Sequence, residues 1–141
     1  MGTSPGHGIK LDRRLRDEIA AHCLKELPLE GCGLLLGDAA ASVVTRVVPT
    51  GNAARSSRLY SVDSRDFLRA DRAAEADGLE VIGVFHSHTH TDPYPSPTDV
   101  AQAPDPSWHY VIVSLRHDAP SLRSYRIVAD VVEEEQVEGD V

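Results

Sequence analysis

Residues 80–99 read EVIGVFHSHTHTDPYPSPTD: an apolar stretch that ends in two histidines and crosses a polar loop to a helix start. Val81, Ile82, Val84 and Phe85 give residues 80–88 the β-branched and aromatic character of a strand. Side chains alternate along a strand, so His86 and His88 share one face, about 6–7 Å apart along it. Ser96-Pro97-Thr98-Asp99 has the order of a helix N-terminus, with serine at the cap, proline at the first position and an acid in the first turn. A strand leading through one loop into a helix, with histidines at the turning point, is an α/β unit.

The rest of the chain extends this pattern. Leu11, Leu15, Ile19, Cys23 and Leu27 recur every four residues, so residues 11–27 read as an amphipathic helix stopped by Pro28. Leu34-Leu35-Leu36, between Gly33 and Gly37, reads as a buried strand, and residues 42–48 as its neighbour. Residues 51–57 form a loop by composition, and Leu59 to Val62 read as a brief strand. Ser64 is placed to cap a helix running to about Asp77, where Gly78 stops it. Pro104 and Pro106 limit the helix after Ser96 to a short one. His109 to Leu115 and Leu122 to Val128 read as strands, and an edge strand is expected after Asp130. The order predicts a mixed α/β sandwich rather than a doubly wound parallel sheet.

The chain has 141 residues and a net charge of −8. That length suits one domain, read here as a disordered lead-in over 1–10, a domain over 11–135 and an acidic tail over 136–141. The acidic balance argues against nucleic acid, which needs clustered cations; Arg13, Arg14 and Arg16 belong to the polar face of the first helix. No apolar run approaches the ~20 residues of a membrane span, and the first residues lack a secretory core. Cys23 and Cys32 have no metal-binding or framework spacing and are expected as free thiols in a reducing cytoplasm.

Two imidazoles side by side grip one metal ion, and a carboxylate from the following loop supplies a third ligand. Three protein ligands leave a tetrahedral position open, as in catalytic rather than structural zinc sites. Asp99 is the carboxylate, because a helix start fixed by Ser96 and Pro97 orients it toward the histidines. His90, four residues after His86, lies past the expected strand end and is placed outside the ligand set. His7, His22, His109 and His117 read as solvated or structural histidines. A base is still required. Glu30, beside Cys32 and the triple leucine, is the candidate, although on its own an exposed turn residue is the slightly better reading.

Glu30 before a glycine-rich strand, with His86, His88, Ser96 and Asp99 in HxH-x7-S-x2-D, resembles the JAMM metalloproteases, also called the MPN+ family. The resemblance implies a cytidine-deaminase-like α/β/α sandwich with a mixed central β-sheet. It also implies one Zn2+ per chain held by His86, His88 and Asp99, with Glu30 as general base and Ser96 stabilising the oxyanion. Thr89 stands where deubiquitinating members usually carry proline. HSHTHTDPYPSPTDVAQA, HYVIVS and LRSYRIV are similar to a small bacterial branch acting on a ubiquitin-like sulfur-carrier protein. That likeness implies hydrolysis of the amide after the carrier's C-terminal Gly-Gly, releasing cysteine in a route of cysteine biosynthesis. The alternatives are an isopeptidase that removes ubiquitin-like tags from protein lysines and a non-catalytic zinc-stabilised binder of such tails. No nucleic acid or membrane partner is expected, and homodimers occur among relatives.

Overall fold

The computed structural model describes residues 8–139. The elements are β1 (Ile9–Lys10), α1 (Arg13–Glu26), β2 (Cys32–Asp38), β3 (Val43–Thr50), α2 (Ser64–Ala76), β4 (Glu80–His88), α3 (Pro97–Ala101), β5 (His109–Ser114), β6 (Ser121–Val128), β7 (Val131–Glu135) and β8 (Val137–Glu138). The strands form one mixed sheet in the order β7-β6-β5-β4-β2-β3-β1-β8. β4 lies at its middle, antiparallel to β2 and parallel to β5.

Each face of the sheet carries a helix. Leu15, Ile19 and Cys23 of α1 pack with Leu35, Phe85, Val111 and Val113, while Ala70 and Phe67 of α2 pack on Leu34, Val84, Tyr110 and Ile112. Successive residues such as Val84 and Phe85 therefore serve opposite layers, as strand alternation requires. This is the α/β/α sandwich with a mixed sheet that the sequence predicts. No helix of the described residues is long and apolar enough to cross a membrane.

Local chemistry sets the boundaries. Asp12 caps α1 by accepting from the Leu15 N–H at 3.0 Å. Asp63, not Ser64, caps α2, accepting from the Arg65 N–H at 2.8 Å, and Gly78 leaves that helix with φ of 73°.

Three further expectations need correction. Leu59 to Val62 form no strand, because the Ser61 N–H bonds to the Asn52 side chain instead of a neighbouring strand. Of the lead-in expected over 1–10, residues 1–7 lie outside the described residues, but Ile9–Lys10 pair with β3 and β8 and Ile9 is buried. Within the acidic segment, Val137–Glu138 form β8. Gln136 alone separates β7 from β8, at opposite ends of the strand order, so the sheet curls until its edges meet.

Candidate metal centre

His86 and His88 occupy the end of β4, and both are buried. Their Nε2 atoms stand 3.3 Å apart. Asp99 Oδ2 lies 3.2 Å from His86 Nε2 and 3.0 Å from His88 Nε2. Ligands arranged tetrahedrally at zinc bond lengths of ~2.0–2.1 Å are separated by roughly 3.3 Å. The three atoms therefore have the mutual spacing of three corners of a zinc tetrahedron, and the donor set fits the ion.

The loop and α3 bring Asp99 there through a capping box. Ser96 Oγ accepts from the Asp99 N–H at 3.0 Å, and the Ser96 N–H donates to Asp99 Oδ2 at 2.9 Å. Since Ser96 Oγ is an acceptor in this bond, its own proton stays free for another partner. The other nitrogen of His88 is also fixed. His88 Nδ1–H donates to the Asp92 carbonyl at 2.8 Å, which leaves Nε2 with its lone pair toward the shared centre. His86 Nδ1 is buried with no hydrogen-bond partner. Its ring instead stacks on Tyr60, with centroids 4.2 Å apart and planes 16° from parallel.

Glu30 reaches this end of the sheet through its neighbour. The Gly31 N–H donates to Ser87 Oγ at 2.8 Å, and the Ser87 N–H donates to the Gly31 carbonyl at 2.9 Å. Cys32, next in the chain, pairs with His86. Glu30 is 3% exposed, so the reading of an exposed turn residue is excluded. Its Oε1 is buried without a partner. Burial pushes the Glu30 carboxyl up to about 8; His88 draws it down in part, while Asp99 adds to the rise.

Burial holds His86 below the ordinary histidine value. Burial also opposes charge on His88, but its bonds to Asp99 and the Asp92 carbonyl prevail and raise it. Asp99 is likewise opposed by burial, yet the two imidazoles and the Ser96 N–H keep its carboxyl far below the usual range. The result is a strong anion between two nitrogen donors, with a protonatable acid nearby.

A cleft of about 490 Å³ opens beside Asp99, walled by Leu34, Tyr60, Val62, Phe67, Val84 and Trp108. The remaining histidines of the described chain stay apart from the centre. His90 is exposed and its Nδ1 lies 2.9 Å from Thr89 Oγ1, His22 Nε2–H donates to the Thr50 carbonyl at 3.0 Å, and His109 bonds to Glu135 at 2.6 Å. His117 takes no part. Near the centre, the stacking of Tyr60 on His86 and the whole role of Asn52 are not legible in the sequence. Asn52 sits in a Gly-Asn turn signal, which marked the loop but not its contacts.

Residues 12–128 match the family described as prokaryotic homologs of the JAB domain. The chain is 44% identical over 125 residues to the CysO-cysteine peptidase of Mycobacterium tuberculosis, covering 87% of this chain and 85% of that protein. It is 36% identical over 104 residues to a desampylase of Haloferax volcanii, covering 70% and 75% respectively. A protein of Desulfitobacterium hafniense known from its solution structure superposes with a TM-score of 0.83 at 36% identity, over 94% of this chain and 91% of that one.

Proposed function

The chain belongs to the family of prokaryotic JAB-domain homologues, and within it we propose a zinc-dependent peptidase that hydrolyses adducts of a ubiquitin-like carrier protein. The bond cut is the amide after the carrier's C-terminal Gly-Gly, and the favoured leaving amine is cysteine. Residues 11–135 act as one catalytic domain. The observation that carries the reading is the tetrahedral spacing of His86 Nε2, His88 Nε2 and Asp99 Oδ2, with a buried, unpartnered Glu30 oxygen at the same end of the sheet. The CysO-cysteine peptidase relative supports the choice of adduct.

His86, His88 and Asp99 would hold the zinc. When bound, the ion supplies Lewis-acid polarisation of the glycyl carbonyl and makes water a stronger acid. Glu30 accepts a proton from the attacking water at its carboxylate and returns it to the nitrogen of the departing amine. The carbonyl carbon gains the water oxygen, the C–N bond breaks, and the products are the carrier carboxylate and a free amine. Ser96 Oγ–H, free of its capping bond, donates to the carbonyl oxygen as it gains charge. The Gly-Gly tail suits a close approach, because neither residue has a side chain to clash with the walls. Upstream of it, the apolar cleft walled by Phe67 and Trp108 suits an apolar side chain of the carrier tail.

A second reading, removal of ubiquitin-like tags from protein lysines, is favoured by the likeness to a desampylase. One experiment tests both. Carrier adducts of cysteine and of a lysine side chain are offered to the wild-type protein and to Glu30→Gln. The expected result is faster cleavage of the cysteine adduct, with Glu30→Gln slower by about 10²–10⁴-fold at unchanged zinc content. Preference for the lysine adduct would transfer the assignment to the second reading. Wild-type rates in Glu30→Gln would remove Glu30 from its role, and zinc-loaded protein inert on both adducts would favour a tail binder.

A further inference from the structure

We propose that Tyr60 is the positioning residue for the metal ligand His86, and that Asn52 holds Tyr60 in place. The inference rests on the reading of His86, His88 and Asp99 as the metal set. Metal-binding histidines are generally oriented by a hydrogen bond from the second ring nitrogen. His88 has one, to the Asp92 carbonyl at 2.8 Å. His86 has none, since its Nδ1 is buried without a partner.

The torsion that sets an imidazole plane is broad and only weakly restrained by itself. Rotation about it swings Nε2 away from the position it shares with His88 Nε2 and Asp99 Oδ2. The near-parallel phenol of Tyr60 blocks that rotation, because an imidazole turned out of the stack would strike the ring face 4.2 Å away. Stacking thus takes the place of the missing hydrogen bond.

Tyr60 lies outside any helix or strand, so something must hold it. Asn52 does so from both sides. Its Nδ2 donates to the Leu59 carbonyl at 2.9 Å, and its Oδ1 accepts from the Ser61 N–H at 3.0 Å. These are the two chain neighbours of Tyr60. The same Nδ2 also contacts the Glu30 carbonyl at 3.1 Å, so the loop and the backbone of Glu30 share one anchor. Thr89 Oγ1–H donates to the Ser57 carbonyl at 3.1 Å and ties the loop to the residue after His88. Asn52 and Thr89 are both buried.

Metal affinity tests this without substrate. Zinc dissociation constants are measured by chelator competition, and the visible absorption of the cobalt-loaded protein reports ligand geometry. Tyr60→Leu keeps apolar bulk but removes the flat face; it is expected to weaken zinc binding about tenfold to a hundredfold and to alter the cobalt spectrum. Tyr60→Phe keeps the stack and is expected to match the wild type in both. Should Tyr60→Leu fail to fold, Asn52→Asp, which keeps the aromatic but removes the donors that hold its loop, carries the same expectation. Wild-type affinity and spectrum in the folded variant would overturn the inference, as would a Tyr60→Phe loss equal to that of Tyr60→Leu. Wild-type protein that binds neither ion would overturn the metal reading itself, and this inference with it.

Discussion

Gly31 and Ser87 exchange two hydrogen bonds, of 2.8 and 2.9 Å, although fifty-six positions separate them. Gly31 follows Glu30 directly, and Ser87 stands between His86 and His88. Glu30 and the two histidines are thereby referenced to the same point of the sheet, and a shift of Gly31 displaces one relative to the other.

Gly31 also packs closely against α1. A Cβ there would stand 2.8 Å from Cys23 Cα on the backbone of α1, too close without movement of the helix or the strand. Gly31→Ala is expected to lower stability by about 1–3 kcal/mol and to cut kcat at least tenfold. His86, His88 and Asp99 are untouched, so zinc content is expected to stay at one per chain. Metal analysis beside kcat checks this, and a variant that loses zinc together with activity would contradict it.

Glu30 makes the metal-free protein pH-dependent. Its carboxyl sits at about 8 in the folded chain against an ordinary 4.5, so the folded state holds the proton more tightly than the unfolded one. The contribution to stability is full below about pH 4.5 and is lost as pH rises towards 8, at up to about 1.4 kcal/mol per unit. Glu30→Gln has no such proton to lose. Its advantage over wild type is expected to grow between pH 5 and 8 by about 1–3 kcal/mol, read from urea unfolding after chelation. Parallel pH profiles for the two proteins would show that Glu30 is not desolvated as the fold indicates.

Zinc affinity follows a different group. Binding needs both imidazoles neutral. His86 is held below the ordinary histidine value and is already neutral near pH 7, whereas His88 is raised by its bonds to Asp99 and the Asp92 carbonyl. Affinity is therefore expected to fall about tenfold per unit as pH drops below the range where His88 protonates, above 6.5, with a slope of one proton. Competition titrations across pH 5–8 measure that slope. A flat profile, or a slope of two protons from pH 7 downwards, would contradict the asymmetry between the two histidines.

The contrast between residues 80–99 and residues 51–62 shows what the sequence makes legible. β4 is readable because its apolar run is local, and Asp99 because its capping box closes within four residues. Glu30 needed family resemblance, since its burial comes from a pairing with Ser87 that no periodicity announces. The roles of Tyr60 and Asn52 are not legible because they lie in contacts with residues that no periodicity links to them: the His86 ring for Tyr60, and the backbone of Leu59, Ser61 and Glu30 for Asn52. Leu59 to Val62 has strand propensity, but Asn52 bonds to the Leu59 carbonyl and the Ser61 N–H in place of a neighbouring strand. β1 and β8 are two residues each, too short for alternation to register; β1 pairs with β3 and β8, and β8 is held by β1.

The curled sheet has a buried polar clasp on the α1 side. Glu135 Oε2 accepts from His109 Nδ1–H at 2.6 Å and from Ser124 Oγ–H at 2.7 Å, joining β5, β6 and β7 just before Gln136 leads the chain into β8. The His109 and Glu135 side chains are 3% and 7% exposed, so water cannot replace a lost partner. Glu135→Ala leaves both donors buried and unpaired and is expected to cost about 3 kcal/mol. The clasp is remote from His86 and His88, so the folded variant is expected to bind zinc as the wild type does. Urea unfolding with a parallel zinc titration measures the two effects. A loss under about 0.5 kcal/mol, the range of an ordinary surface substitution, would mean that the sheet edges meet without help from this carboxylate.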